Sequence, residues 1–484
     1  MMVLDYSIAN VSIPYISGDL AVSNEQGTYV ITSFAVGNAI GLALTGWLTK
    51  RIGAVKLLTI SILLFTLFSW TCGLSSTLIL LTVNRFIQGF VAGPVIPLSQ
   101  SILITEGTEK SRARDIAIWS TIVITAPVLG PILGGYISDW YVWSWIFYIN
   151  IPVGLYCAIT IWAIMRRRDT PTEKVPGDFW GILFLVIGVS CLQILLDNGQ
   201  DWDWLNSIRI RLLLIGTIIG FTYFIIREHW HKAPLMHLRL FKIPSFSLSI
   251  FCLMISYAIY FGTIVLVPLW LQEFMGYTAE WAGFAVCAIG IGPVFLTMIS
   301  PKIIQKLGFV RTLILGFTIF GIGCFLTAYF TTDIDVIHIA LSRFVFGLGF
   351  IFYINPLISM SIQDISPAEL PTAAGMFHFV RSMIGGVGTS IFTTLWIRRT
   401  YFHHERIGEL LTPFNPFTPQ ATDNTSLAQL NNSLDQQSAL LALNDAFYLM
   451  GWLFVFLVAV LIGWYLFARK STQKQPITGV ASAE

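Results

Sequence analysis

Apolar residues run along this chain in long, nearly unbroken blocks rather than in alternation. Fourteen blocks stand out, at approximately 1–16, 29–48, 57–74, 77–103, 115–138, 143–165, 179–196, 208–226, 248–271, 281–299, 312–330, 336–362, 373–397 and 446–468. A helix needs roughly 20 mainly apolar residues to cross the hydrocarbon of a bilayer. A membrane barrel would instead show alternating segments of about 9–11 residues. The pattern therefore predicts an all-α, polytopic membrane protein with fourteen spans. The connections are mostly short, and only 398–444 forms a long polar stretch.

Composition agrees. Of 484 residues, 55% are apolar and 11% charged, and the mean hydropathy is +0.74. A soluble chain of this length needs more charge to cover its surface. The net charge of +2 gives no sign of a nucleic-acid partner. The six cysteines are scattered singly in or beside apolar blocks, which reads as small buried hydrophobes, so neither a metal nor another cofactor is expected. No cleavable signal peptide is visible, as suits a first helix that itself serves as the membrane signal.

The placement of the basic residues gives an orientation. With the N-terminus in the cytoplasm, 20 of the 28 Lys and Arg fall on the cytoplasmic side, five on the outer side and three within spans (Arg85, Arg343 and Arg381). Cytoplasmic loops are rich in Lys and Arg. Both termini are therefore expected inside, in a bacterial inner membrane, with 398–444 facing outward.

An internal repeat gives the architecture. Leu48 to Lys56 resembles Ile303 to Arg311 with Gly53 and Gly308 aligned; Arg85, Phe86 and Gly89 match Arg343, Phe344 and Gly347; Pro97-Leu98 matches Pro356-Leu357. A steady offset of 255–259 residues implies two parallel six-helix halves related by an axis along the membrane normal. The predicted organisation is a bundle over 1–165, two inserted helices over 179–226 and a second bundle over 248–468.

Charged groups inside a membrane are costly and mark function by default. Asp5 is the clearest intramembrane acid, and Asp5, Ala9 and Ser12 share one small polar helix face. A carboxyl group in a low-dielectric cavity can bind a proton near neutral pH, which makes Asp5 a candidate coupling site; a structural hydrogen bond is the plainer alternative. Arg85 stands on one side with Gln88, Gly89, Ala92 and Gly93, a groove small enough for a neighbouring helix to approach the guanidinium. Its role is either to tune the acid or only to pair with carbonyls. Ala126, Gly130 and Gly134 recur at four-residue intervals, with Pro127 and Pro131 between, so that helix can bend and pack closely. In the thirteenth block, His378, Arg381, Gly385 and Gly388 share a face. His378 is titratable near neutrality or simply a hydrogen-bonded neighbour, and Arg381 suits an anionic substrate or an internal ion pair. Asn10, Gln88, Phe377 and His378 are candidate cavity residues, in a protein whose many aromatics suit greasy ligands of varied shape. Glu273 is expected at the outer rim with a structural role.

These motifs resemble the major facilitator superfamily, in its fourteen-helix drug:proton antiporter branch of EmrB type. The likeness covers nearly the whole chain: Leu4-Asp5 with Asn10-Val11 and Pro14; Gly46 to Lys56, including Gly53; Arg85, Gln88 and Gly89; Gly130-Pro131 with Gly134-Gly135; Trp143 to Pro152; and Phe379-Val380-Arg381. The superfamily usually has an acid where Lys50 stands, and EmrB-type members share that departure. The resemblance implies proton-driven export of hydrophobic, often weakly acidic toxicants through an inner-membrane pump. It also implies partners, namely a periplasmic adaptor of EmrA type and an outer-membrane channel of TolC type, with 398–444 as a plausible adaptor contact. Family members carry about half a helix ahead of the first acid. Here four residues precede Asp5, so the true start is expected upstream of Met1.

Two other readings share the pattern in part. Export or proton-coupled import of one dedicated metabolite would use the same fold, and only the Gly-Pro motif argues for export. A membrane scaffold would leave the intramembrane Asp and Arg unexplained. No HExxH, GxSxG or P-loop is present, so no enzyme activity and no ATP-driven transport is expected.

Overall fold

The computed structural model describes the chain except residues 23, 108, 174–175, 201, 232–233, 297–298, 412–423 and 474–484. All fourteen apolar blocks are helical. They are α1 (Met2–Val11, resumed as Ile13–Asp19), α2 (Tyr29–Ile52), α3 (Ala54–Gly73), α4 (Leu78–Ala92, resumed as Val95–Glu106), α5 (Glu109–Trp140), α6 (Trp145–Tyr148, resumed as Asn150–Met165) and α7 (Phe179–Asn198). The remainder are α8 (Ile208–Trp230), α9 (Pro244–Glu273), α10 (Ala279–Leu296, resumed as Ser300–Leu307), α11 (Phe309–Thr327), α12 (Val336–Ile362), α13 (Leu370–Gly408) and α14 (Asn424–Gln473).

Among the described residues ten helices are long and apolar enough to cross a membrane, or eleven if the bent α10 pair counts as one span. The three outside that set are α1, α5 and α13. Helix α1 is broken into pieces of 10 and 7 residues, each too short to cross, and the polar His378 and Arg381 lower the apolarity of α13.

Small residues set the packing. In the first half, a Cβ on Gly89 of α4 would overlap the Phe34 carbonyl of α2, and one on Gly37 would overlap the Phe86 carbonyl. The two backbones therefore touch where Arg85 sits. In the second half Gly347 of α12 meets the Ile289 carbonyl of α10 in the same way. The repeat also shows in the backbone: Gly53 and Gly308, each between consecutive helices, have φ of +96° and +81°, a region that only glycine enters without strain.

The halves meet toward the end that carries Lys50. Gly375 of α13 backs onto the Leu42 carbonyl of α2, and Gly46 leaves room for Thr372. There, too, Lys50 Nζ lies 3.3 Å from His237 Nε2, whose Nδ1 lies 3.1 Å from Glu369 Oε1. The inserted helices α7 and α8 pack on each other where Gly220 closes onto the Gly188 backbone. Only 33% and 22% of their most apolar windows are buried, which leaves most of their surface for lipid.

The polar stretch 398–444 is not a loop throughout. Helix α13 continues to Gly408 and α14 begins at Asn424. The two extensions are tied by Arg399 Nε to Asp445 Oδ2 (2.7 Å), His403 Nε2 to the same oxygen (2.8 Å) and Trp396 Nε1 to the Ala439 carbonyl (3.0 Å). Hydropathy misses a helix that has left the apolar layer, because nothing then distinguishes it from a solvated loop.

Candidate functional site

Helix α1 brings Asp5 into the first bundle against α5, where Gly130 and Gly134 lack the side chains that would overlap Ser7 and crowd Ile8. The Asp5 carboxylate meets the Arg85 guanidinium of α4 at 2.6 Å, Nη1 to Oδ2, and the two side chains are 1% and 0% exposed. Its other oxygen accepts a hydrogen bond from Asn150 Nδ2 of α6 at 2.7 Å. Asn150 is held in turn by Ser69 Oγ of α3 at 3.1 Å. Four helices thus converge on one carboxylate.

Arg85 is held as firmly. Its Nη1 also donates to Gln88 Oε1 (2.8 Å), its Nε donates to the Val30 carbonyl (3.3 Å), and its guanidinium carbon lies 4.3 Å from the Phe34 ring centre and 5.3 Å from that of Phe147. Arg85 Nη2 and Gln88 Nε2 are buried without partners among the described residues. Burying an ion pair carries a large desolvation penalty, offset only by good geometry and further hydrogen bonds.

The equivalent position in the second half differs. Arg343 is also fully buried, but its partners are neutral: Thr327 Oγ1 at 2.6 Å, the Thr263 carbonyl at 3.4 Å and the Phe346 ring at 4.2 Å. Among the described residues no carboxylate faces it. The second half has the cation without the acid among the described residues.

His378 lies between the halves. Its Nε2 is 2.7 Å from Gln100 Oε1 of α4, so the imidazole donates there, and its Nδ1 is buried without a partner among the described residues. Arg381, half-buried on the same helix, lies 5.6 Å from the Tyr257 ring centre and forms no ion pair among the described residues. Glu273 stands exposed as the last residue of α9.

Several expectations change. Gln88 does not line an open cavity but belongs to the ion-pair cluster, and Phe377, 1% exposed, is core packing. Asp5 itself is shut off from any substrate in this conformation. The side chains of Asn10, Pro127 and Pro131 lie outside the described residues. Sequence reasoning missed Asn150 as a partner of the acid, and Ser69 as the group that holds Asn150; the available signal was an amide standing alone in the apolar run that starts α6.

This constellation, a charged pair seated in one of two repeated six-helix bundles, can be set against known proteins. The family model for the Major Facilitator Superfamily matches residues 1–389. The chain belongs to that superfamily. Among its superfamily relatives, the Multidrug export protein EmrB of Escherichia coli (strain K12) is 40% identical over 480 residues, covering 97% of this chain and 93% of the relative. The Fatty acid resistance protein FarB of Neisseria gonorrhoeae is 37% identical over 469 residues, covering 95% and 92%. The crystal structure of the human organic anion transporter MFSD10 has the same superfamily fold, with a TM-score of 0.56, 13% identity and coverage of 93% of this chain and 96% of that one.

Proposed function

We propose that this protein is a proton-driven multidrug efflux antiporter that exports hydrophobic toxic compounds, weak acids among them, across the bacterial inner membrane. The observation that carries the reading is the buried Asp5–Arg85 pair with Asn150 and Gln88 around it. A carboxylate so placed is stable while charged and paired; adding a proton removes the attraction, frees Arg85 and loosens the seam between α1 and α4. Substrate and proton then compete through the state of this pair rather than by direct contact. Proton movement supplies the drive, at about 2.3 kcal/mol per charge per 100 mV. The chain's similarity to proteins named for multidrug export and for fatty acid resistance supports this substrate range, as does Arg381, which forms no ion pair among the described residues. Both termini face the cytoplasm in this reading. The α13–α14 extensions then stand outward, where they would meet an EmrA-type adaptor leading to a TolC-type channel.

The test is ethidium accumulation in pump-deficient cells that express the protein with its adaptor. Wild type lowers accumulation, collapse of the proton gradient abolishes the effect, and Asp5→Asn is inert. Export by Asp5→Asn at the wild-type rate would end the coupling role of that residue, and raised uptake by wild type would reverse the direction of transport.

A further inference from the structure

The basic residues at the Lys50 end of α2, α3 and α6 fall into two groups. Lys50 approaches His237, Arg51 lies 5.3 Å from the Trp47 ring centre, and Arg168 meets Glu106 at 2.7 Å. Lys56, Arg166 and Arg167 are exposed and form no ion pair among the described residues. The chain gathers them at one place. Beyond α6 it folds back onto the start of α3, where Asp169 Oδ1 accepts from the Val55 N–H and Thr170 Oγ1 from the Ala54 N–H, both at 2.9 Å. Arg166 stands three residues before Asp169, and Lys56 follows Val55 directly.

Beside Lys56 a groove of about 390 Å³ runs between α3 and α6, lined by Thr59, Ile60 and Leu63 on one side and Ala158, Ile159 and Trp162 on the other. Its walls are apolar, because Thr59 donates its hydroxyl to the Val55 carbonyl at 2.9 Å. The buried Ala158 is small enough to form the floor. Farther from the basic end, Gly154 lets α6 close directly onto Thr66; the groove lies between that contact and the cations. The repeat supplies a comparison. Lys56 aligns with Arg311, which donates to the Tyr465 hydroxyl of α14 and lies 5.3 Å from that ring's centre. The second half satisfies this cation within the protein, whereas the first half sets it at the head of an apolar groove.

We propose that the groove between α3 and α6 binds an anionic phospholipid, with one acyl chain against Ile60, Leu63, Ile159 and Trp162 and the phosphate between Lys56 and Arg166. Basic pockets between membrane helices on the cytoplasmic side take acidic headgroups, and Trp162 suits the headgroup level. A phosphatidylethanolamine fills the groove equally well but brings an ammonium group that the two cations repel. Ile60, Leu63 and Ile159 are 44%, 42% and 68% exposed, so the site faces the bilayer rather than the Asp5 cluster. The orientation proposed above serves only to name the leaflet as the cytoplasmic one.

The experiment is native mass spectrometry of the purified full-length protein in neutral detergent, offered phosphatidylglycerol and phosphatidylethanolamine with identical chains at equal concentration. One cation beside an acidic headgroup is worth about fivefold, so two should give wild type a preference of roughly 25-fold for phosphatidylglycerol as the first lipid retained. Lys56→Gln should lower that preference about fivefold, and adding Arg166→Gln should bring it to parity. Arg311→Gln, which removes a cation already held by Tyr465, should leave it as in wild type. Ile159→Trp should weaken retention of either lipid while both cations remain, because the indole fills the groove. Excess glycerol phosphate should not displace the lipid, since it has no chain to seat. All these substitutions are at exposed positions, which keeps the fold out of question. Equal retention of the two lipids by wild type, an unchanged preference in Lys56→Gln, full retention in Ile159→Trp or displacement by glycerol phosphate overturns the proposal. None of these measurements depends on transport, so the antiporter reading stands or falls separately.

Discussion

Asp5 and Arg85 form a pair whose strength can be measured by breaking it twice. Asp5→Asn leaves the guanidinium buried without a counter-ion, and Arg85→Gln leaves the carboxylate with Asn150 alone. Either single change strands a charge that is at most 1% exposed, and such losses run to about 3–5 kcal/mol. The double variant strands none. It forfeits chiefly the bonds to Val30, Gln88 and Asn150, at roughly 1 kcal/mol each, or about 2–3 kcal/mol in all. The singles should therefore sum to about 6–10 kcal/mol against about 2–3 for the double, a coupling of at least ~3 kcal/mol. Reversible denaturant titration in mixed micelles, read by circular dichroism, gives all four corners of the cycle. The double variant should fold and still fail to export dye, since a neutral pair has no proton-dependent attraction to switch. Single-variant losses that add to the double within about 0.5 kcal/mol would refute the reasoning, because the two groups would then act independently.

Arg343→Gln should cost clearly less than Arg85→Gln, about 1–2 kcal/mol in the same titration, because removing a cation that faces no carboxylate strands no charge and loses only neutral hydrogen bonds. Gly53→Ala should destabilise by about 1–3 kcal/mol: its φ of +96° and ψ of 149° suit glycine alone, and a Cβ would lie 2.6 Å from the Asp169 carboxylate that caps the start of α3. Gly130→Val should drive α1 off α5 at Ser7 and abolish export while helix content by circular dichroism is unchanged. Arg381→Gln should lower export of an anionic dye about tenfold, equivalent to ~1.4 kcal/mol, and leave a neutral dye little affected; equal losses for both dyes would remove Arg381 from substrate recognition.

The spans and the repeat were legible because both are written in long-range patterns. Twenty apolar residues in a row have few alternative structures, and Gly53 and Gly308 recur where the chain must turn with positive φ. Asp5 and Arg85 were legible as costly charges, with tuning of the acid by the arginine one of two readings left open; direct pairing could not be decided, since 80 residues separate them and the approach of α2 to α4 at Gly89 seats the arginine. The extensions of α13 and α14 were hidden, being helices with no apolar run to announce them.

The unbalanced Arg343 has an electrical meaning. In the first bundle the charges of Asp5 and Arg85 cancel, so that half can rotate through the membrane field with little work done on its core. The second bundle carries a bare guanidinium in its core. Rocking of that half displaces charge against the membrane potential, and a full crossing would amount to about 2.3 kcal/mol per 100 mV. In the antiporter reading proposed above, any movement between inward- and outward-open forms would therefore respond to voltage as well as to protons.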